Sequence, residues 1–213
     1  ATPFSNGRAW IRTSDWEWEY IDKSGRVIRS DETPRFEEND EPMFNNGLAL
    51  VQDEGVFGYI DEQANPYIPL QYTDARAFSD GKAAIKISDR WGYIDDKKNT
   101  VISPQYISAG NFGDGLAPVR LSGNTWGYIN ESGSIAIDEQ FEEAREFSNG
   151  RAAVKLNDKW GFIDTNGNVS TSIEFDDVRD FKDGLAKVYI FGAESEKMGY
   201  VDTSGRYVWY PTD

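Results

Sequence analysis

The 213-residue chain contains no cysteine and no histidine. Without cysteine there is no disulfide, no thiolate metal site and no thiol nucleophile. Without histidine the commonest general base and the commonest transition-metal ligand are missing too. Basic residues are few: 22 Lys and Arg stand against 37 Asp and Glu, for a net charge of −15. Such a surface repels phosphate backbones and anionic headgroups, so no nucleic-acid partner is expected. No apolar run approaches the length that crosses a bilayer, and no membrane insertion is expected. Hydrophobic residues make only 38% of the chain, yet aromatics reach 14%. The core must therefore be built from large rings rather than many aliphatic side chains.

What the chain does have is repetition. A motif of about 34 residues recurs six times, led by Phe4, Phe44, Phe78, Phe112, Phe147 and Phe181. A fixed period of this size marks an array of one small supersecondary unit sharing a continuous core. The repeats run 4–43, 44–77, 78–111, 112–146, 147–180 and 181–213, and form a single repeat domain.

The third repeat shows the local logic. Ala83, Ile85 and Ile87 alternate with polar or small neighbours, as do Trp91, Tyr93 and Asp95 with Gly92 and Ile94. This period of two, in β-branched and aromatic residues, predicts strands. Ser88-Asp89-Arg90 reads as a short hairpin connection, and Asn157-Asp158-Lys159 as its counterpart in the fifth repeat. An Asp-x-x-Gly turn follows at Asp22–Gly25, Asp164–Gly167 and Asp202–Gly205, with Asn130–Gly133 as the Asn form. The acid accepts backbone hydrogen bonds and the glycine supplies a positive φ. Where Ala64 and Lys98 replace that glycine, Asn65 and Asn99 are expected to turn left-handed instead.

A third strand, such as Thr100–Ser103, completes a three-stranded antiparallel meander. The link to the next repeat spaces rings and small residues by three, as in Tyr72, Ala75, Phe78. That spacing predicts a helical or 3₁₀ turn. Three residues beyond each leading Phe stands a glycine, Gly7, Gly47, Gly81, Gly115, Gly150 and Gly184, where a special backbone angle is expected.

The pairs Trp91-Gly92, Trp126-Gly127 and Trp160-Gly161 are read as structural. The bare glycine lets a neighbouring ring or backbone lie close beside the indole. Phe57-Gly58 and Met198-Gly199 vary the bulky member, and Trp18-Glu19 loses the glycine. The array is expected to be open and solenoid-like, with a closed six-bladed propeller-like ring as the alternative. Three strands per repeat and atypical ends favour the open form.

With its "RWGYID", "KWGFIDTNG", "FSDGKAAIK", "FGDGLAPV" and "PQY" segments the chain resembles the bacterial WG-repeat (KWG-repeat) proteins, over essentially its whole length. The resemblance implies a non-enzymatic repeat scaffold, exported or surface-associated. It carries no catalytic residue onto this sequence.

Chemistry is sparse. The many carboxylates fall at repeat turns, which leaves a glycan-active enzyme with paired acids as a weak alternative. Asp164-Thr165-Asn166-Gly167-Asn168 opens like a calcium loop, but Val169 and Phe175 stand where Gly and Glu are needed. No metal and no cofactor are expected.

Aromatics that the repeat does not require are the remaining signal. Trp10 aligns with Leu50, Ala84, Pro118, Ala153 and Lys187, on the face opposite Ala83 and Ile85. That face is expected to be partly solvated. With Trp16, Tyr189, Phe191 and Trp209, Trp10 forms the candidate ligand-binding set. The expected partner is a protein or peptide, with a polysaccharide as the alternative. The same rings could instead cap the ends of the array. An extracytoplasmic setting, periplasm or cell surface, is expected. The chain opens Ala1-Thr2-Pro3 directly at its first repeat, which suits a processed or trimmed protein.

Overall fold

The computed structural model describes residues 8–12, 18–27, 43–63, 65–192 and 196–212. Every described element is a strand or a turn, and there is no helix among the described residues. The first sheet pairs β1 (Arg8–Arg12) with β2 (Trp18–Asp22). Five four-stranded antiparallel sheets follow. The second holds β3 (Phe44–Asn45), β4 (Leu48–Asp53), β5 (Val56–Asp61) and β6 (Pro66–Tyr72). The third holds β7 (Asp74–Ala75), β8 (Lys82–Ile87), β9 (Arg90–Asp95) and β10 (Thr100–Tyr106). In the fourth are β11 (Ser108–Ala109), β12 (Leu116–Arg120), β13 (Trp126–Asn130) and β14 (Ile135–Phe141). The fifth is β15 (Glu143–Ala144), β16 (Arg151–Leu156), β17 (Lys159–Asp164) and β18 (Val169–Phe175). The sixth is β19 (Asp177–Val178), β20 (Leu185–Phe191), β21 (Glu196–Asp202) and β22 (Tyr207–Thr212). No single sheet closes on itself.

Two turn types set this register. The glycine after each leading Phe has φ of +77° at Gly47, +71° at Gly81 and +72° at Gly150. The residue before it, Asn46, Asp80 or Asn149, is also left-handed. Two successive positive φ values make the type I′ hairpin, whose twist matches that of paired strands. At the second turn, Asp164 accepts hydrogen bonds from the backbone N–H of Asn166 and Asn168, both at 2.9 Å, and Gly167 has φ +82°. Asp22, Asp61, Asp95, Asn130 and Asp202 accept in the same way. Where the glycine is missing, Lys98 itself takes φ +72°. Asn99 does not turn left-handed; its side-chain amide donates to Asp95 at 2.9 Å, locking the turn from outside.

The link between repeats is not a helical turn. In the third sheet it is the fourth strand, β7, paired with β8 through Asp74↔Lys86 and Ala75↔Ile85. The N–H groups of Thr73 and Arg76 donate to the carbonyls of Lys86 and Ala84. A bend at Thr73, followed by two paired residues, yields the same ring–small–ring spacing that a helical turn would. The meanders of the third to sixth sheets thus each gain a short strand from the link before them.

The Trp-Gly pair works through backbone contact. In the second, fourth, fifth and sixth sheets the strand after the glycine shifts register opposite it, between Trp160 and Phe162 for example. A Cβ on Gly161 would meet the Ile173 Cα at 2.7 Å. On Gly92 it would meet the Ile102 carbonyl oxygen at 2.5 Å. A bulged strand lies directly over the bare glycine.

The chain divides into two compact units, Ala1–Pro104 and Gln105–Asp213. In the first, Leu48, Tyr59, Ile68 and Tyr72 of the second sheet pack with Phe78, Ala83, Ile85 and Ile94 of the third. In the second unit, Leu116, Tyr128, Ile137 and Phe141 of the fourth sheet pack with Phe147, Ala152, Val154 and Ile163 of the fifth. Ala153, Trp160, Phe162 and Phe175 of the fifth then pack with Phe181, Ala186, Val188 and Val201 of the sixth. The fifth sheet thus has a rear face packed on the fourth and a forward face packed on the sixth, and the corresponding faces of the other sheets are named forward and rear by the same residue positions.

This corrects the expected exposure of one column. Ala84 is 1% exposed, Ala153 2%, and Pro118 is buried as well. Their face is the forward one. For Ala153 the cover is the rear of the following sheet. Rings cross these joints edge-on: Tyr59 on Phe78 and Tyr128 on Phe147 at 4.9 Å, Phe162 on Phe181 at 4.7 Å. The hydroxyls of Tyr59 and Tyr128 continue into the link and donate to the carbonyls of Arg76 and Arg145 at 2.7 and 2.8 Å.

Each tryptophan of a Trp-Gly pair is covered by an arginine. Arg76 lies 5.6 Å from the Trp91 ring and Arg145 4.4 Å from Trp160. The link into the fourth sheet has Gly110 where the links into the third, fifth and sixth have arginine, and a Cβ there would meet Pro118 Cγ at 2.6 Å. Arg120 covers Trp126 instead, at 5.6 Å, and leaves the indole half-buried, unlike Trp91 and Trp160.

The turn acids carry a pH prediction. Hydrogen bonds from Asn168 and Asn166 hold the Asp164 carboxyl below its usual range, with a smaller contribution from the Arg151 charge. A pKa depressed in the folded state stabilises above the unfolded value, near 3.8, and that stability is lost as pH falls through the folded value. The stability gap between wild type and Asp164→Asn, from urea unfolding, should therefore shrink between pH 6 and pH 3. A gap that stays constant or widens would contradict this reading of the turn.

Candidate binding face on the sixth sheet

The sixth sheet is built as the others are, so its faces can be assigned residue by residue. Ala186, Val188 and Val201 belong to the rear face, in the core with Ala153 and Phe175. Side chains alternate along a strand, so Lys187, Tyr189 and Phe191 of β20 point forward. Tyr200 is paired with Lys187, and Met198 with Tyr189. Trp209 of β22 is paired with Tyr200 and shares its face. The forward face thus holds three cross-strand rows: Lys187–Tyr200–Trp209, Tyr189–Met198 and Phe191–Glu196.

Three of the five sequence-derived ligand residues, Tyr189, Phe191 and Trp209, are brought together here. Phe191 is 55% exposed and Trp209 58%. Tyr189 is half-buried. Trp10 lies in β1 opposite Tyr20, with its side chain outside the described residues. Trp16 lies outside the described residues altogether. Trp91 and Trp160 are buried, as their structural role requires.

The exposure of Trp209 is out of pattern. Its column holds Ile68, Ile102, Ile137 and Thr171 in the preceding sheets, all buried. The fifth sheet shows one source of that cover. The Asp-x-x-Gly turn of the sixth sheet reaches back, and a Cβ on Gly205 would meet the Ser170 carbonyl oxygen at 2.2 Å and Thr171 Oγ1 at 3.2 Å. Likewise Gly167 sits against Ile137.

The charge on this face is mixed, for Glu196 pairs in register with Phe191. Lys187 Nζ lies 5.0 Å from the Tyr189 ring centroid, and Arg179 Cζ 5.7 Å from it. A hydrogen bond with Tyr189 holds the Lys187 pKa above its ordinary value. Arg179 also pairs with Asp177 at 3.2 Å. Lys187, Met198 and Tyr200 were not among the sequence-derived site residues. Lys187 left a signal: it is the one charged member of the Leu50, Ala84, Pro118, Ala153 column.

The described carboxyls with a resolved shift, Asp22, Asp95, Asp164, Asp176 and Asp202, are all held below their usual range by hydrogen bonds. That is the behaviour of turn anchors rather than of proton donors. Among the described residues no group of three or more acids is placed to hold a metal ion. No helix among them is long and apolar enough to cross a membrane.

Comparison with known proteins agrees with the fold. The chain is similar to Hsv2p of Kluyveromyces lactis at 9% identity, over 92% of this chain and 71% of that one, with a TM-score of 0.54. It is also similar to a eukaryotic initiation factor at 10% identity, over 75% of this chain, with a TM-score of 0.52. The chain spans 50% of that factor's length. At these identities the likeness concerns fold alone. No curated protein matches the sequence. The family model described as "WG containing repeat" matches residues 57–91, 91–124, 126–160 and 160–190. Each match begins at the bulky residue of a bulky-Gly pair or, for the third and fourth, at Trp126 and Trp160 themselves. Together they cover more than half of the sequence, and the chain belongs to the WG containing repeat family.

Proposed function

We propose that this protein is a non-enzymatic scaffold that binds a protein or peptide partner through the forward face of its sixth sheet. One observation carries the reading: that face is the counterpart of surfaces that serve as sheet–sheet joints elsewhere in the chain, yet it leaves Trp209 and Phe191 in solvent. Large exposed rings on a rigid sheet give contact area at small ordering cost. The acidic remainder of the surface, at net charge −15, disfavours nucleic acid and anionic membranes. Work outside a bacterial cytoplasm fits this composition and is part of the proposal.

The test is capture of partners on immobilised wild type and on a Phe191→Ala, Trp209→Ala double variant, with quantitative comparison. Both positions are exposed, so the double variant should stay folded. A partner held by wild type and lost by the variant is the expected result. Identical partner sets on both would overturn the assignment of function to this face.

A further inference from the structure

Asparagine is followed by glycine at Asn6-Gly7, Asn46-Gly47, Asn149-Gly150 and Asn166-Gly167. The first of these lies outside the described residues. This dipeptide is prone to close on itself, because glycine has no side chain to shield its backbone nitrogen. That nitrogen loses its proton and attacks the carbonyl carbon of the asparagine side chain. A C–N bond forms, the bond to the side-chain nitrogen breaks, and ammonia leaves. Water then opens the resulting succinimide at either carbonyl, to aspartate or to isoaspartate. The rate depends on how readily the glycine N–H gives up its proton and how freely the side chain swings onto the nitrogen. By sequence the described pairs are equal. The structure separates them.

Asn46-Gly47 and Asn149-Gly150 occupy the same hairpin position, with φ of +52° and +77° in the first and +57° and +72° in the second. Both asparagines are exposed. The restraint that the turn itself imposes is therefore common to the two. Asn149-Gly150 is fastened further. Asp114, in the turn that leads into the fourth sheet, accepts the Gly150 N–H at 2.7 Å. Asn149 Nδ2 donates to Ser148 Oγ at 2.9 Å and to the Phe181 carbonyl at 3.4 Å. A carboxylate against an N–H keeps the proton where it is, and its charge opposes the amide anion that attack requires. The bonds from Nδ2 hold the side chain in place. Asn166-Gly167 is fastened in another way: the Gly167 N–H donates to the Asp164 carbonyl at 2.9 Å, and the glycine sits against Ile137. Asn46-Gly47 has none of these ties. Among the described residues nothing accepts the Gly47 N–H, and the Asn46 side chain makes no hydrogen bond.

We propose that Asn46 is a site of spontaneous deamidation, and that Asp114 and the Phe181 carbonyl protect Asn149 from the same reaction. The aspartyl product suits the fold, since Asp80, Asp114 and Asp183 hold the same hairpin position at φ +47°, +50° and +52°. The isoaspartyl product does not. It adds a carbon to the backbone at the tip of the hairpin, where β3 is paired through Phe44↔Ala49 and Asn45↔Leu48. One product therefore gives the turn the acidic form used elsewhere in the chain, and the other works β3 loose from the second sheet.

The test is incubation of the full chain in mildly alkaline buffer. Conversion at each Asn-Gly pair is followed by peptide mass spectrometry, and isoaspartate by methyltransferase labelling. Asn46 should convert at least about tenfold faster than Asn149 and Asn166, the rate equivalent of one charge-assisted hydrogen bond. In urea that unfolds the chain, the rates should draw together. Asp114→Gly keeps a residue that accepts a positive φ; it should raise the rate at Asn149 about tenfold and leave Asn46 and Asn166 unchanged. Native Asn149 converting as fast as Asn46 overturns the proposal. So does a native Asn46 that stays intact while the unfolded chain loses it. Acceleration of Asn166 together with Asn149 in Asp114→Gly would show a loosened fold and overturn the protective role of Asp114.

Discussion

Gly127→Ala should lower the stability of this protein by about 3 kcal/mol, at the upper end of overpacking costs, although it adds only one methyl group. The methyl would sit 2.6 Å from the Ile137 carbonyl oxygen and 2.8 Å from the Glu139 nitrogen. Both are backbone atoms of β14, held in register by Tyr128↔Ile137 and Trp126↔Phe141. Neither can swing aside as a side-chain tip could. Relief requires β14 to lift away, which would also loosen Phe141 and Ile137 from the joint with the fifth sheet. Gly115→Ala is the control. Its φ is +78° but nothing lies within 4 Å of a new Cβ. It should cost only about 1 kcal/mol, the penalty of a left-handed alanine. Urea unfolding with an unchanged slope measures both. Equal losses would show that the bulge does not press on the glycine.

The second large effect concerns the indoles. Trp160→Ala should destabilise by about 3–5 kcal/mol. Trp160 is 7% exposed, belongs to the core between the fifth and sixth sheets, and is capped by Arg145 at 4.4 Å. Its loss leaves a cavity and strips that guanidinium of its ring, though Arg145 keeps its hydrogen bond to the Val178 carbonyl at 2.9 Å. Trp209→Ala should cost less than about 0.5 kcal/mol, as exposed substitutions do. Trp126→Ala should fall between them, because that indole is only half-buried. A ranking with Trp209 at or above Trp160 would reverse the assignment of faces.

The repeat, its strands, both turns and the bulky-Gly pair are all legible in the residues. They rest on local chemistry: a period of two, Asp and Asn as acceptors, glycine at positive φ. What is not legible depends on neighbours that the local pattern does not name. The fourth strand is two residues long, such as Asp74–Ala75, and leaves no alternation to read. The forward face reads as solvated because Ala84, Pro118 and Ala153 are small and Lys187 shares their column. Only the structure reveals that these small residues are buried, Ala153 under the next sheet, and that Lys187 is the exception rather than the rule. Gly110 and Pro118, eight residues apart, form one such matched pair. Of the candidate site, the rings Tyr189, Phe191 and Trp209 are visible as departures from the repeat. Tyr200 is not, since it conforms to it.

Hydroxyl-radical footprinting of the whole chain, read out by peptide mass spectrometry, tests the central claim most directly. If the forward face of the fifth sheet is a joint and that of the sixth is open, Trp209 and Phe191 should oxidise readily while Trp160 and Phe162 stay protected. Comparable oxidation of Trp160 and Trp209 in the native protein would contradict it.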